Sequence, residues 1–128
     1  GVRRTGRVRS INREQLCLTD LQQELEDADS LRRRVLDRYL RLLEIRREQS
    51  AFHPGADQEI LNLGPRIFAL RRSNEVAGQI IVALHNVTNG DRATKAQEDC
   101  TDLLTGESFD AGEIVPLARY QVRWLESR

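Results

Sequence analysis

The break at Phe52-His53-Pro54-Gly55 constrains this chain more than any other stretch. Proline removes a backbone donor and glycine resists helical dihedrals, so no helix runs through it. Before the break, apolar residues recur at helical spacing. After it they fall in short runs rich in isoleucine, valine, leucine and phenylalanine, the residues that fit a pleated surface. Helices first and strands second, with no helix of adequate length between the strands, excludes β-α-β units and predicts an α+β fold. That fold is an N-terminal helical segment followed by a small antiparallel β-sheet or sandwich.

In the first part, Leu31, Val35, Tyr39, Leu42 and Leu43 keep one helical face apolar through Ile45, with a start at Asp29 or Ser30. The opposite face carries Arg34, Arg38, Arg41, Glu44, Arg47 and Glu48, a mixed set suited to water. A shorter helix is expected to open at Thr19, where Gln22 completes a capping-box pattern. Gly1 to Arg13, with five arginines and no acid, reads as a loop.

Past the break, strands are expected over Glu59 to Leu63, Arg66 to Arg71, Gln79 to His85, Glu113 to Leu117 and Tyr120 to Leu125. A short strand at Leu103-Leu104 runs into a turn at Gly106, and Asn89-Gly90-Asp91 marks another turn. Ile80 to Leu84 is continuously apolar, the pattern of a central strand covered on both faces. The expected division is 1–50 loop and helices, 51–57 linker and 58–128 β-domain.

Twenty basic residues balance twenty acidic ones, so no net field draws the chain to nucleic acid or to an anionic membrane. No apolar run approaches the roughly 20 residues that cross a bilayer, and no signal peptide is recognisable, so a cytoplasmic protein is expected. Cys17 and Cys100 form no C-x-x-C pair and are expected as reduced thiols. Methionine is absent, which fits a chain that begins in mid-protein, or one that has lost its initiator before Gly1.

A search for chemistry finds little. There is no phosphate-binding glycine loop and no nucleophile elbow, and the carboxylates fall in helical charge runs or turns. His53 and His85 have no neighbours at metal-ligand spacing, so neither a metal nor a cofactor is expected, and no residue is nominated as catalytic. Asn86-Val87-Thr88 has the form of a glycosylation sequon but reads as a turn. Trp124 is expected to fill the core or cover the sheet rather than stack on a sugar. Arg7, Arg9 and Arg13 could form an anion site, or simply a solvated terminus.

Several motifs in order carry a family resemblance: Arg9-Ser10-Ile11-Asn12-Arg13, Leu43-Glu44-Ile45-Arg46, Ala51-Phe52-His53-Pro54 and Arg66-Ile67-Phe68-Ala69-Leu70-Arg71-Arg72. They are followed by His85-Asn86-Val87-Thr88, Asp102-Leu103-Leu104 and Tyr120-Gln121-Val122-Arg123-Trp124-Leu125. The set resembles the end of sucrose phosphorylases and their relatives in glycoside hydrolase family 13, the alpha-amylase family. The resemblance implies the last loop and helix of a (β/α)8 barrel followed by a β-sandwich, domain C. It also implies a parent enzyme that transfers glucosyl groups to phosphate by double displacement, its catalytic carboxylates lying upstream of this chain. By the same resemblance Arg9 faces the acceptor or phosphate subsite, while Asn12 and Arg13 hold the loop in shape. The acceptor stays open among fructose, glycerate and a sugar phosphate.

The implied partners are the catalytic barrel and, in the parent, a carbohydrate substrate and phosphate, with self-association through the exposed helix face when the barrel is missing. The competing reading is a stand-alone carbohydrate-binding or protein-interaction module, which the 5% aromatic content disfavours. On either reading this chain alone performs no catalysis.

Overall fold

The computed structural model describes residues 16–128, and the chain divides into two compact units, Gly1–Arg41 and Leu42–Arg128. Helix α1 spans Leu18–Glu26 and helix α2 spans Leu31–Glu48. Ser30 caps α2, its Oγ accepting from the Arg33 N–H at 3.0 Å while its carbonyl accepts from Arg34 at 3.1 Å. Arg33 Nε donates to both carboxylate oxygens of Asp37 one turn on, each at 2.9 Å. Arg32 pairs with Glu24, and Arg33 Nη1 donates to the Leu25 carbonyl, so α2 begins tied to the end of α1.

Helix α1 starts before Thr19. Extended Cys17 is the N-cap, its carbonyl accepting from Leu21 at 3.0 Å, and no side chain makes a capping hydrogen bond. Thr19 therefore lies within the first turn, and its hydroxyl is not at the boundary where a capping box could form. No residue of either helix is buried.

Eight strands follow: β1 Asp57–Asn62, β2 Ile67–Asn74, β3 Gln79–Asn86, β4 Arg92–Lys95, β5 Cys100–Asp102, β6 Ser108–Phe109, β7 Ile114–Leu117 and β8 Val122–Ser127. They form an open, antiparallel six-stranded sheet in the order β1-β2-β3-β8-β5-β6, and a two-stranded sheet of β4 and β7. Ile67, Ala69, Leu84, Leu125 and Phe109 of the large sheet cluster with Val115 and Leu117 of the small one, so the core lies between them. The α+β class, helices and then an antiparallel sheet, is the expected one.

In β3, Ile81 and Ala83 are buried on one face and Leu84 on the other, as a doubly covered strand requires. Leu103-Leu104 is not a strand but a turn after β5. The Asp102 carboxylate accepts from the Leu104 N–H, and the Asp102 carbonyl accepts from Gly106 at 2.7 Å, which bends the backbone out of the ladder. Gly106, at φ 78°, closes that turn in the left-handed region where a side chain would be strained.

Ser50–Phe52 forms a single 3-10 turn between α2 and the sheet. Arg72 Nε donates to the Ala51 carbonyl at 3.0 Å and Nη2 to the His53 carbonyl at 2.6 Å. Gln79 Oε1 accepts from the Ser50 hydroxyl and the Ala51 N–H, and its Nε2 donates to Gln49 and Glu126. These two side chains clamp the segment onto β2 and β3, leaving Ala51 with no exposed surface.

Candidate functional site

Arg9, the residue expected at a phosphate or acceptor subsite, lies outside the described residues, as do Arg7, Asn12 and Arg13. Among the described residues the polar groups that cluster in the sheet serve the fold. Asp102 is fully buried and accepts from Arg123 Nη1 at 3.0 Å, the Trp124 N–H at 3.1 Å, the Leu104 N–H at 3.1 Å and the Thr105 hydroxyl at 2.9 Å. Arg123 also donates to the Pro116 carbonyl and to Glu107, and its guanidinium sits 5.3 Å from the centre of the Phe109 ring. Both side chains are almost closed to solvent and are held by the fold's own hydrogen bonds, which gives the pair a structural role. Sequence reasoning did not single out this pair, because a buried aspartate and a turn aspartate look alike in a single sequence.

Asn86 is buried in the same manner. Its Nδ2 donates to the carbonyls of Gly90, Leu117 and Ala118, and its Oδ1 accepts from the Thr88 N–H and hydroxyl. The amide that glycosylation would modify is fully engaged, and Asn86-Val87-Thr88 forms the turn that its sequence suggests.

His53 is exposed and accepts through Nδ1 from the Gly55 N–H. His85 is half-buried on β3, its ring 5.8 Å from Phe68, and burial lowers its pKa below the ordinary 6.5. Trp124 covers the sheet, its ring 4.8 Å from Phe52 and inclined by 60°. The Phe68–His85 pair is inclined by 51°. Cys100 is buried and Cys17 exposed. Among the described residues no group of three or more histidines, cysteines and carboxylates could hold a metal ion.

Two cavities test whether a sugar could react here. One, between the sheets, is lined by Leu61, Leu63, Val82, Leu84, Cys100 and Leu125 and measures about 30 Å³, too small for a sugar ring. The other is an open groove of about 390 Å³ along Arg46–Pro54, large enough for a sugar ring, whose only carboxylate is Glu48. Glycosyl transfer by double displacement needs two carboxyl groups about 5 Å apart, so the groove lacks the chemistry. Among the described helices none is long and apolar enough to cross a membrane.

No family model matches the chain. It is 39% identical over 89 residues to the glucosylglycerate phosphorylase of Spirochaeta thermophila, a stretch covering 70% of this chain and 15% of that protein. It is 32% identical over 125 residues to that of Allomeiothermus silvanus and 28% over 126 residues to that of Escherichia coli, each stretch covering 98% of this chain. The chain spans only about a fifth of the length of these two relatives, 21% and 22%. Among solved structures it resembles MutB in complex with sucrose and a mutant of the trehalulose synthase MutB. Each has a TM-score of 0.62 at 18% identity, over 82% of this chain and 19% of the other, a likeness of fold alone. On its motifs and on these phosphorylase relatives, the chain is a phosphorylase- and glucosyltransferase-like member of the glycoside hydrolase family 13 clan, matching those proteins over part of their length.

Proposed function

We propose that the chain is the non-catalytic C-terminal segment of a sucrose-phosphorylase-like glucosyltransferase, and that the parent cleaves glucosylglycerate with phosphate to glucose 1-phosphate and glycerate. Glycerate as the acceptor is supported by the three relatives, each a glucosylglycerate phosphorylase. In this reading 1–50 completes the barrel, 51–57 connects, 58–128 is domain C, and the parent is cytoplasmic.

The observation that carries the reading is the bare apolar side of α2. Leu31 is 67% exposed, Val35 58% and Tyr39 58%, at the spacing of one helical face, and no residue of the helix is buried. Fully burying a valine or leucine side chain is worth about 1.5–3 kcal/mol, and the greater part of that is unrealised while this stripe faces water. Helices in proteins owe most of their stability to a packed face. A catalytic barrel that covers the stripe supplies that packing.

Arg9 is assigned to bind phosphate or the acceptor, with Asn12 and Arg13 shaping its loop. The alignments with two relatives span 98% of the chain, long enough to include all three positions. The test is Arg9→Lys in the parent enzyme, since lysine keeps the charge but loses the paired hydrogen bonds of guanidinium. A rise in KM for phosphate or glycerate of tenfold or more, with the glucosyl-enzyme still forming, supports the assignment. Unchanged kinetics with both acceptors removes it.

A further inference from the structure

We propose that the two loops at one end of the sheets, 87–91 and 118–121, form a binding site for a sugar phosphate. Arg92 and Arg119 take the phosphate, and the Tyr120 ring takes the apolar face of the sugar. β3 and β8 pair at His85 and Val122, and β4 and β7 pair at Arg92 and Leu117, so both loops emerge at the same end.

Two unusual features coincide there. Among the described residues, Tyr120 is the one non-glycine residue in the left-handed region, at φ 56°, and it is 66% exposed. A bulky side chain is strained in that conformation, and a ring that faces water gains no core packing in return. Nε of Arg92 is buried with no hydrogen-bond partner, the one such side-chain atom among the described residues. Native folds rarely leave a buried donor unpaired. Each feature costs stability, and neither serves the core.

The fold nevertheless holds both groups in place. Asn86 ties the loops together through the carbonyls of Gly90 and Ala118. The Tyr120 N–H donates to the Thr88 carbonyl at 3.1 Å, and the Arg119 N–H donates to Asp91 Oδ1 at 3.1 Å. Arg92 Nη1 donates to the Asp91 carbonyl at 2.7 Å, and its guanidinium lies on Gly90, where a Cβ would come within 3.4 Å of Nη1. Asp91 therefore links the two arginines, and the strained tyrosine is fixed beside them. Strain held by over-determined surroundings is a feature of ligand clamps.

The chemistry selects the ligand. Among the described residues none accepts a hydrogen bond from Arg92 Nη2 or from the Arg119 guanidinium. Their N–H groups match an oxyanion, and two guanidinium groups against the single carboxylate of Asp91 leave the loop pair cationic. Inorganic phosphate would leave the exposed ring unused, whereas a body with an apolar face can lie against it. The choice of a sugar as that body rests on the reading of the parent as a glucosyl-transferring phosphorylase, whose product is a sugar phosphate.

The experiment is phenylglyoxal modification of the full-length parent, with modified arginines located by peptide mass. Glucose 1-phosphate is the probe, compared with inorganic phosphate and with glucose. At about 10 mM, ten times a millimolar dissociation constant, glucose 1-phosphate is expected to slow modification of Arg119 about tenfold. Inorganic phosphate is expected to protect less, and glucose not at all. Equal rates with and without glucose 1-phosphate overturn the inference, and equal protection by inorganic phosphate overturns it in favour of a simple anion site. Tyr120→Gly relieves the backbone strain, so the fold is kept while the ring is lost. Protection of Arg119 is then expected to fall to the level given by inorganic phosphate, and full protection in this variant contradicts the role of the ring. Arg9 is read in the same digest. Protection at Arg9 with none at Arg119 removes this site and leaves the reading of the parent standing. Protection at Arg119 with none at Arg9 supports this site and counts against the subsite assigned to Arg9.

Discussion

Arg123 and Asp102 form a buried ion pair, Nη1 to Oδ2 at 3.0 Å, that joins β8 to the end of β5 and leaves neither charge open to water. Removing one partner of such a pair strands the other without its counter-charge. Arg123→Met is therefore expected to destabilise the β-domain by about 3 kcal/mol or more. Urea unfolding followed by Trp124 fluorescence reads the loss, and a change below about 1 kcal/mol contradicts the role given to the pair.

Asn86→Ala removes one donor group shared by three carbonyls and the acceptor for Thr88. Leaving buried carbonyls unpaired is expected to cost about 2–3 kcal/mol in the same unfolding experiment. When the chain is expressed through a secretory route, its folded form is expected to carry no glycan at Asn86, which intact mass spectrometry checks.

Much of the sheet is legible in the sequence because its strands announce themselves by composition. Ile80 to Leu84 reads as a doubly covered strand and is one. Strand β4, Arg92-Ala93-Thr94-Lys95, goes unread: its charged ends and lack of a β-branched run give no periodic signal, and it exists because β7 pairs with it. Strand β6 is only two residues long, with Phe109 as its sole core residue. The apolar pair Leu103-Leu104 misleads because the turn there is set by the Asp102 side chain, an interaction that no local pattern displays. The clamp by Arg72 and Gln79 is hidden for a like reason, since both act on residues 19 or more positions away.

That clamp yields its own prediction. Arg72→Ala removes hydrogen bonds to the carbonyls of Ala51 and His53 and to Gln58. Amide hydrogen exchange at Phe52 and His53 is expected to quicken by about tenfold, a local loss of about 1.4 kcal/mol, while amides in the centre of β3 keep their protection. Unchanged exchange at Phe52 means that Gln79 alone holds the segment.

Burial of His85 links stability to pH. Its folded pKa lies below the unfolded value near 6.5, so the unfolded chain takes up the proton more readily. The effect is absent above the unfolded value, and stability falls as pH drops from there through the folded value. Thermal midpoints measured between about pH 5 and 7 are expected to decline toward acid less steeply for His85→Gln than for the parent sequence. Parallel curves contradict the assignment.

The two thiols are expected to differ in reactivity. The backbone N–H of Asp20, with that of Thr19, lowers the pKa of exposed Cys17, whereas burial raises that of Cys100. At neutral pH, maleimide is expected to modify Cys17 within the folded chain and to reach Cys100 only on unfolding, as mass spectrometry of labelled peptides reports.

The coding sequence immediately upstream of the Gly1 codon tests the central claim most directly. If the chain is the accessory segment of a glucosyl-transferring phosphorylase, an in-frame sequence there encodes barrel strands, with an aspartate nucleophile and a glutamate acid–base. A start codon directly before Gly1 contradicts that claim and leaves the bare face of α2 to a separate partner.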